Sequence, residues 1–167
     1  MDRDLYLIID NVRSSENIGS LLRTADGLGI KEVLICGYSP YPKLANNDTR
    51  LPHIINKIDA KIHKTALGTE KTQVWNYYPT VTQAINYLKQ KGIPIIGLEQ
   101  TNLALKLNDY QPPDRLGLVI GNEITGIDQS IVKLCNVVVE IPMIGKKESF
   151  NVSIAMAMAM FYFRYMV

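Results

Sequence analysis

Leu5-Tyr6-Leu7-Ile8-Ile9-Asp10-Asn11-Val12-Arg13-Ser14-Ser15-Glu16-Asn17-Ile18-Gly19-Ser20-Leu21-Leu22-Arg23-Thr24-Ala25-Asp26-Gly27-Leu28-Gly29, followed shortly by Val33-Leu34-Ile35-Cys36, is the stretch on which the fold turns. Leu5 to Ile9 is a short, unbroken apolar run of the kind a buried strand shows. Asn11 to Asn17 is polar and reads as a loop. Ile18, Leu21, Leu22, Ala25 and Leu28 then recur every three or four residues, which predicts an amphipathic helix. Asn17 is placed to cap its start and Gly29 to stop it. Val33 to Cys36 is a second apolar run, giving strand, loop, helix, strand.

The same alternation continues along the chain. Val74 to Tyr78 reads as a short strand stopped by Pro79, and Thr80 to Lys91 as a helix with Val81, Ala84, Ile85 and Leu88 on one face. Ile93 to Leu98, with Pro94 at its start, Leu116 to Ile120 and Val137 to Ile141 are further strands. Between the last two, Asp128 caps a short helix to Leu134, and Asn151 to Arg164 forms a final helix. Strands alternating with helices predict an α/β domain with a mostly parallel sheet flanked by helices. Gly37 to Thr72 is the least regular part, with Pro40, Pro42, Pro52 and several Asn and Asp. It reads as a long functional or mobile loop. There is no internal repeat and no interdomain linker; Pro112-Pro113 stiffens a loop.

The length of 167 residues fits one domain, residues 1–167, with a sizeable core. Hydrophobic residues at 47% and charged residues at 20% are an ordinary globular balance. No segment approaches the ~18 uncharged apolar residues of a membrane span. The apolar run Leu5 to Ile9, closed by Asp10, is too short for a signal-peptide core, so a cytoplasmic protein is expected. Cys36 and Cys135 lie far apart, outside any C-x-x-C pair, and read as small buried residues. His53 and His63 lack metal-ligand spacing, so no metal is expected. A net charge of +2 does not by itself point to nucleic acid. Between Arg50 and Lys71, however, five basic residues (Arg50, Lys57, Lys61, Lys64, Lys71) face two acids, Asp59 and Glu70. Lys146 and Lys147 add a second basic spot. Such patches contact phosphates or are simply solvated.

Three clusters each follow a predicted strand, where open parallel sheets bind ligands. The first is Asn17-Ile18-Gly19-Ser20-Leu21-Leu22-Arg23-Thr24-Ala25-Asp26. On a helical wheel Arg23 falls about 140° from Ile18 and about 40° from Gly19, off the apolar stripe and beside a residue with no side chain. There its guanidinium has room to reach an anion near the helix start. Taken alone, an ordinary surface arginine is the simpler reading. The second is Gly117-Leu118-Val119-Ile120-Gly121-Asn122-Glu123-Ile124-Thr125-Gly126-Ile127, a strand running into a glycine-bounded loop with one carboxylate. Its glycines permit close backbone approach to a ligand, or merely a turn. The third is Ile141-Pro142-Met143-Ile144-Gly145, then Ser149-Phe150-Asn151-Val152-Ser153, in which Ser149 or Asn151 caps the last helix. No G-x-G-x-x-G follows the first strand, no Walker A sequence is present, and no Ser/His/Asp or Cys/His set is evident.

Together, in this order, the clusters resemble the three signature motifs of the SpoU/TrmH family of RNA 2′-O-ribose methyltransferases, in the SPOUT superfamily. The resemblance spans about Leu5 to Tyr162. Phe150 stands where the commoner motif has Leu, an apolar exchange, and Lys64-Thr65-Ala66-Leu67-Gly68 resembles a connecting segment of small members. The resemblance implies a parallel α/β sheet with a deep C-terminal trefoil knot, which general folding rules would not suggest. It implies S-adenosylmethionine as cofactor, held by Leu98, Gly121, Ile141, Ser149 and Phe150. It also implies a homodimer through the knot region and the terminal helix. Ala155 to Met160 are apolar nearly all round, which suits either a dimer contact or a core helix.

The implied reaction is attack of a ribose 2′-oxygen on a sulfonium methyl, with the hydroxyl losing its proton as it attacks. Arg23 stands at the family's catalytic arginine. Free arginine stays protonated up to pKa ~12, which leaves two roles open: a locally perturbed base, or a cation that stabilises the developing alkoxide and positions phosphate. Asn17 is expected to orient Arg23 or substrate, Glu123 to hold Arg23 or neighbouring backbone, and Ser149 and Asn151 to support the site. With no appended RNA-binding domain expected, recognition falls to the core, the Gly37–Thr72 region and a partner subunit. Small members often act on tRNA, so tRNA is expected over ribosomal RNA. The competing readings are a non-catalytic RNA-binding or cofactor-binding homologue, a base methyltransferase, and an unrelated doubly wound nucleotide-binding module.

Overall fold

In the computed structural model, which describes residues 3–166, β1 (Asp4–Asp10) runs through the middle of a seven-stranded sheet. The other strands are β2 (Glu32–Cys36), β3 (Trp75–Tyr78), β4 (Ile95–Leu98), β5 (Leu105–Lys106), β6 (Arg115–Ile120) and β7 (Val137–Glu140). Their spatial order is β3-β2-β1-β6-β4-β7-β5, and every pair is parallel. Leu5, Leu7, Ile8 and Ile9 have no exposed surface, because a central parallel strand is covered on both faces. That is why β1 reads as a continuous apolar run. The expectation of a mostly parallel sheet flanked by helices holds.

Alternate residues of β1 enter different layers. Leu5, Leu7 and Ile9 pack with α1 (Ser15–Gly27), α2 (Pro52–Ala66) and α6 (Val152–Phe161). Tyr6 and Ile8 pack with α4 (Val81–Gln90) and with Ile131 of α5 (Gln129–Val132) on the other face. The remaining helix, α3, is the single turn Thr69–Thr72. Among the described residues no helix is long and apolar enough to cross a membrane. Residues 1–2 and 167, the ends of the expected domain range, lie outside the described residues.

Three expectations are corrected. First, the cap of α1 is Ser14, whose extended backbone lets its hydroxyl accept from the Asn17 N–H at 3.1 Å. Asn17 therefore sits in the first turn, and its side chain is free for other partners. Second, Gly37–Thr72 is not one irregular loop: Pro52 begins α2, where its missing N–H is harmless. Ile55, Ile58, Ile62 and Ala66 form the buried or half-buried stripe of that helix. Third, the final helix ends at Phe161, and Tyr162–Met166 continue as a π-helical turn.

The crossing of α1 and α2 depends on Gly19. A Cβ there would stand 2.1 Å from Thr65 Oγ1 and 2.3 Å from the Ile62 carbonyl. Thr65 Oγ1 also donates to the Glu16 carbonyl at 2.8 Å. The missing side chain of Gly19 thus admits the α2 backbone; it is not open space for Arg23. At the far end of the molecule, Arg3 Nη1 donates to the Phe163 carbonyl at 2.8 Å and Arg164 Nη1 to the Arg3 carbonyl at 2.7 Å.

Candidate active site

Because β1 and β6 are neighbours and parallel, the loops after their carboxyl ends lie side by side. Glu123 bridges them. Its Oε2 accepts from the Arg13 N–H at 2.9 Å, and its Oε1 from the Ser14 N–H at 3.2 Å and from Asn17 Nδ2 at 2.8 Å. Asn17 Oδ1 in turn accepts from Asn151 Nδ2 at 3.2 Å. Asn151 Oδ1 accepts from the Ser153 N–H and hydroxyl, at 2.9 and 2.6 Å, and so caps α6. A hydrogen-bonded chain from Glu123 through Asn17 to Asn151 therefore joins all three sequence clusters. Burial pushes the Glu123 carboxyl up, but the bonds from Arg13, Asn17 and Ser14 outweigh it and hold the group below its ordinary range. The carboxylate also lies at the positive end of α1.

Leu98, Gly121, Ile141, Ser149 and Phe150 line one cavity of about 230 Å³, at the carboxyl ends of β4, β6 and β7. Glu123 borders it as well, so the cavity adjoins the hydrogen-bonded chain. Gly121 is buried, but a Cβ on it would meet the Gly126 carbonyl carbon at 2.3 Å. Its lack of a side chain lets the loop close on itself, so packing of the turn accounts for this glycine. Ser149, Phe150 and Asn151 are exposed, and Asn151 alone takes the capping role.

Arg23 stands apart. It is exposed on α1 and lines a shallow groove with Ser20, Thr24, Lys64 and Thr65. Among the described residues neither Glu123 nor Asn17 bonds to it; Glu123 holds backbone, the second of its two expected roles. Arg23 and the cofactor-type cavity are thus separate surfaces of one chain.

Residues not anticipated as part of the site hold its walls. Asn122 Nδ2 donates to the Asn11 carbonyl and the Tyr38 hydroxyl, at 2.9 and 2.7 Å, while its Oδ1 accepts from the Ile124 and Thr125 N–H groups at 2.8 and 3.2 Å. Glu99 accepts from the Ile127 N–H at 2.6 Å and, with Glu140, brings carboxylates to the cavity wall. The signal for Asn122 was an Asn two residues before turn N–H groups it can accept from. Glu99 carried no comparable signal, because besides the adjacent Gln100 N–H its partner is the Ile127 N–H, 28 residues away in sequence.

This sheet carries a ligand-sized cavity and a hydrogen-bonded Asn–Glu–Asn chain at its carboxyl edge, the place where open parallel α/β domains bind ligands. Residues 4–161 match the SpoU rRNA Methylase family, and the chain belongs to that family. It is 31% identical over 156 residues to a 23S rRNA (guanosine-2′-O-)-methyltransferase of Neisseria meningitidis, a match that covers 93% of this chain and 56% of that protein. It is 25% identical over 162 residues to a tRNA (guanosine(18)-2′-O)-methyltransferase of Thermus thermophilus, covering 95% of this chain and 73% of the other. The AdoMet-bound rRNA methyltransferase from Sinorhizobium meliloti superposes with a TM-score of 0.82 at 18% identity, over 100% of this chain and 58% of that one. That likeness establishes the fold. The chain spans just over half the length of the rRNA relative.

Proposed function

We propose that this domain transfers a methyl group from S-adenosylmethionine to a ribose 2′-hydroxyl of RNA, and that the RNA is tRNA, with ribosomal RNA as the alternative. The observation that carries the reading is the Glu123–Asn17–Asn151 chain set against the cavity lined by Leu98, Gly121, Ile141, Ser149 and Phe150. The relatives named above methylate guanosine ribose in both RNA classes.

The cavity suits the cofactor chemically. Leu98, Ile141, Phe150 and Val152 offer apolar surface for an adenine, and Glu99 and Glu140 offer negative charge to a sulfonium and an amine. When bound, the cofactor supplies an electrophilic methyl on a positively charged sulfur. Asn17, fixed by Glu123 on one side and Asn151 on the other, is held rigid to orient the incoming ribose. Arg23 is the cation that engages the RNA. Its place outside the cavity suits a group that meets the nucleic acid more than the cofactor.

Three further properties belong to the same reading. The returning segment that carries Ser149 and Phe150 to the ends of β4 and β6 is the thread of a trefoil knot. The domain acts as a homodimer through that region and α6: Met156, Ala159 and Met160 face the core, while Ile154 and Phe161 are 52% and 50% exposed on the outside. The location is cytoplasmic, and residues 4–161 act as a single methyltransferase unit. The test is incubation with labelled cofactor and separated tRNA and ribosomal RNA, with mapping of the labelled nucleotide. Label on a ribose of tRNA is expected. Label on a base, or none on either RNA, overturns the proposal; label on ribosomal RNA only overturns the tRNA assignment.

A further inference from the structure

Of the five basic residues that cluster between Arg50 and Lys71, the structure removes one from service. Arg50 forms an ion pair with Asp48 at 2.6 Å, donates to the Tyr41 and Pro42 carbonyls and stacks on the Tyr41 ring, so its guanidinium is a structural clasp. Lys71 belongs to the separate turn α3. The remaining three, Lys57, Lys61 and Lys64, are all exposed on α2. At spacings of four and three residues they fall within an arc of about 60° on that helix and span about 10 Å along it. The acid on α2, Asp59, lies about 200° round the helix from Lys57, where it accepts from the Lys43 N–H at 3.0 Å.

The stripe leads to the site already described. Lys61 Nζ is 3.9 Å from Glu16 Oε1, a loose, half-exposed pair one residue from Asn17. Lys64 shares the groove between α1 and α2 with Arg23, Ser20 and Thr24. His53, Ala60 and Ile54, the last 39% exposed, border this face; a single isoleucine at its edge does not make the clustered apolar and aromatic anchor on which protein partners settle. Aligned cations flanked by hydroxyls, and continuous with the residue proposed above to orient the ribose, match a phosphodiester backbone.

We propose that Lys57, Lys61 and Lys64 form a track on α2 that binds the phosphates of the RNA strand flanking the methylated nucleotide and delivers that strand to Asn17 and Arg23. This rests on the RNA reading above. Phosphate contacts position the strand without reading its sequence, so the track sets affinity and register while the nucleotide is chosen elsewhere.

The experiment is the salt dependence of binding to unfractionated tRNA, and in parallel to ribosomal RNA, for the wild type and for the triple variant Lys57→Gln, Lys61→Gln, Lys64→Gln. Each lost contact to a single-stranded phosphate lowers the log–log salt slope by about 0.7, so the slope should fall by about 2. The ratio of wild-type to variant affinity should then shrink about 20-fold between ~50 and ~200 mM salt. Replacement of the same three residues by Arg should restore the slope. A paired Lys106→Gln, Lys133→Gln variant, remote from α2, should leave it unchanged. If the wild type binds RNA and the triple variant keeps the wild-type slope, or the remote pair loses as much per charge, the track is refuted and the RNA reading stands. If the wild type binds and methylates neither RNA, the RNA reading fails and the track with it.

Discussion

Replacing Glu123 by Gln tests whether the site is organised around one carboxylate. The side chain accepts three hydrogen bonds, from the Arg13 and Ser14 N–H groups and from Asn17 Nδ2. Bonds to a charged acceptor contribute ~1.5–3 kcal/mol each, against ~0.5–1.5 for neutral pairs. A glutamine placed to keep its oxygen toward Ser14 and Asn17 turns its amide nitrogen toward the Arg13 N–H, donor against donor. One bond is lost and two lose their charge assistance. Since the group is half-buried and water offsets part of this, the net loss of stability should be about 2–3 kcal/mol at pH 7. The pH dependence supplies an independent check. The folded pKa of Glu123 lies below 4.5, so its contribution is complete above 4.5 and is lost as pH falls through the folded value. Urea denaturation of both proteins should therefore show a gap that is full at neutral pH and closes in acid, while methyl transfer by the variant falls because Asn17 is no longer held. A gap below about 0.5 kcal/mol, unchanged from pH 7 to acid, would refute this account of the site.

Arg23→Ala should lower methyl transfer by about 10²–10³-fold while cofactor affinity, read by calorimetry, stays near wild type; undiminished turnover would remove Arg23 from the reaction. Gly19→Ala forces a Cβ against the Ile62 carbonyl at 2.3 Å and should destabilise by at least about 2 kcal/mol in urea, since backbone cannot yield as a side chain would. Asp10 is 4% exposed, and its Oδ1 has no hydrogen-bond partner among the described residues. Burial first, and then the Asp128 charge, raise its carboxyl from 3.8 to about 6. The folded protein binds this proton more tightly than the unfolded chain, so stability should fall by about 3 kcal/mol as pH rises through that window. Asp10→Asn should flatten that part of the pH–stability curve; an unaltered curve would show that Asp10 is not its source.

The sheet was legible because its strands are buried on both faces and so appear as apolar runs, as Leu5–Ile9 and Leu116–Ile120 do. The three clusters were legible because each follows such a run. What escaped was set by tertiary contact. Helix α2 hid in a proline-bearing polar stretch because its apolar stripe is sparse, with Ile55, Ile62 and Ala66 its fully buried members. Ser14 took the cap expected of Asn17 because Glu123, from a distant loop, fixes the turn that precedes α1. Gly19 was expected to leave room for Arg23 and instead meets the α2 backbone; Gly121, expected to admit a ligand or make a turn, lines the cavity and also meets the Gly126 backbone. β5, two exposed residues long, offers no periodicity to read.

The reciprocal clasp of Arg3 and Arg164 bears on how the molecule is made. Its bonds join residues 160 and 161 positions apart. Arg164 also ties down the end of α1 through the Leu28 and Gly29 carbonyls. During synthesis β1 leaves the ribosome long before the groups that lock its amino end. Contacts so remote in sequence are slow to form. A nascent chain stopped before Phe163 would lack the Arg164 bonds to the Arg3, Leu28 and Gly29 carbonyls, and should be cleared by proteases that spare a chain carrying them.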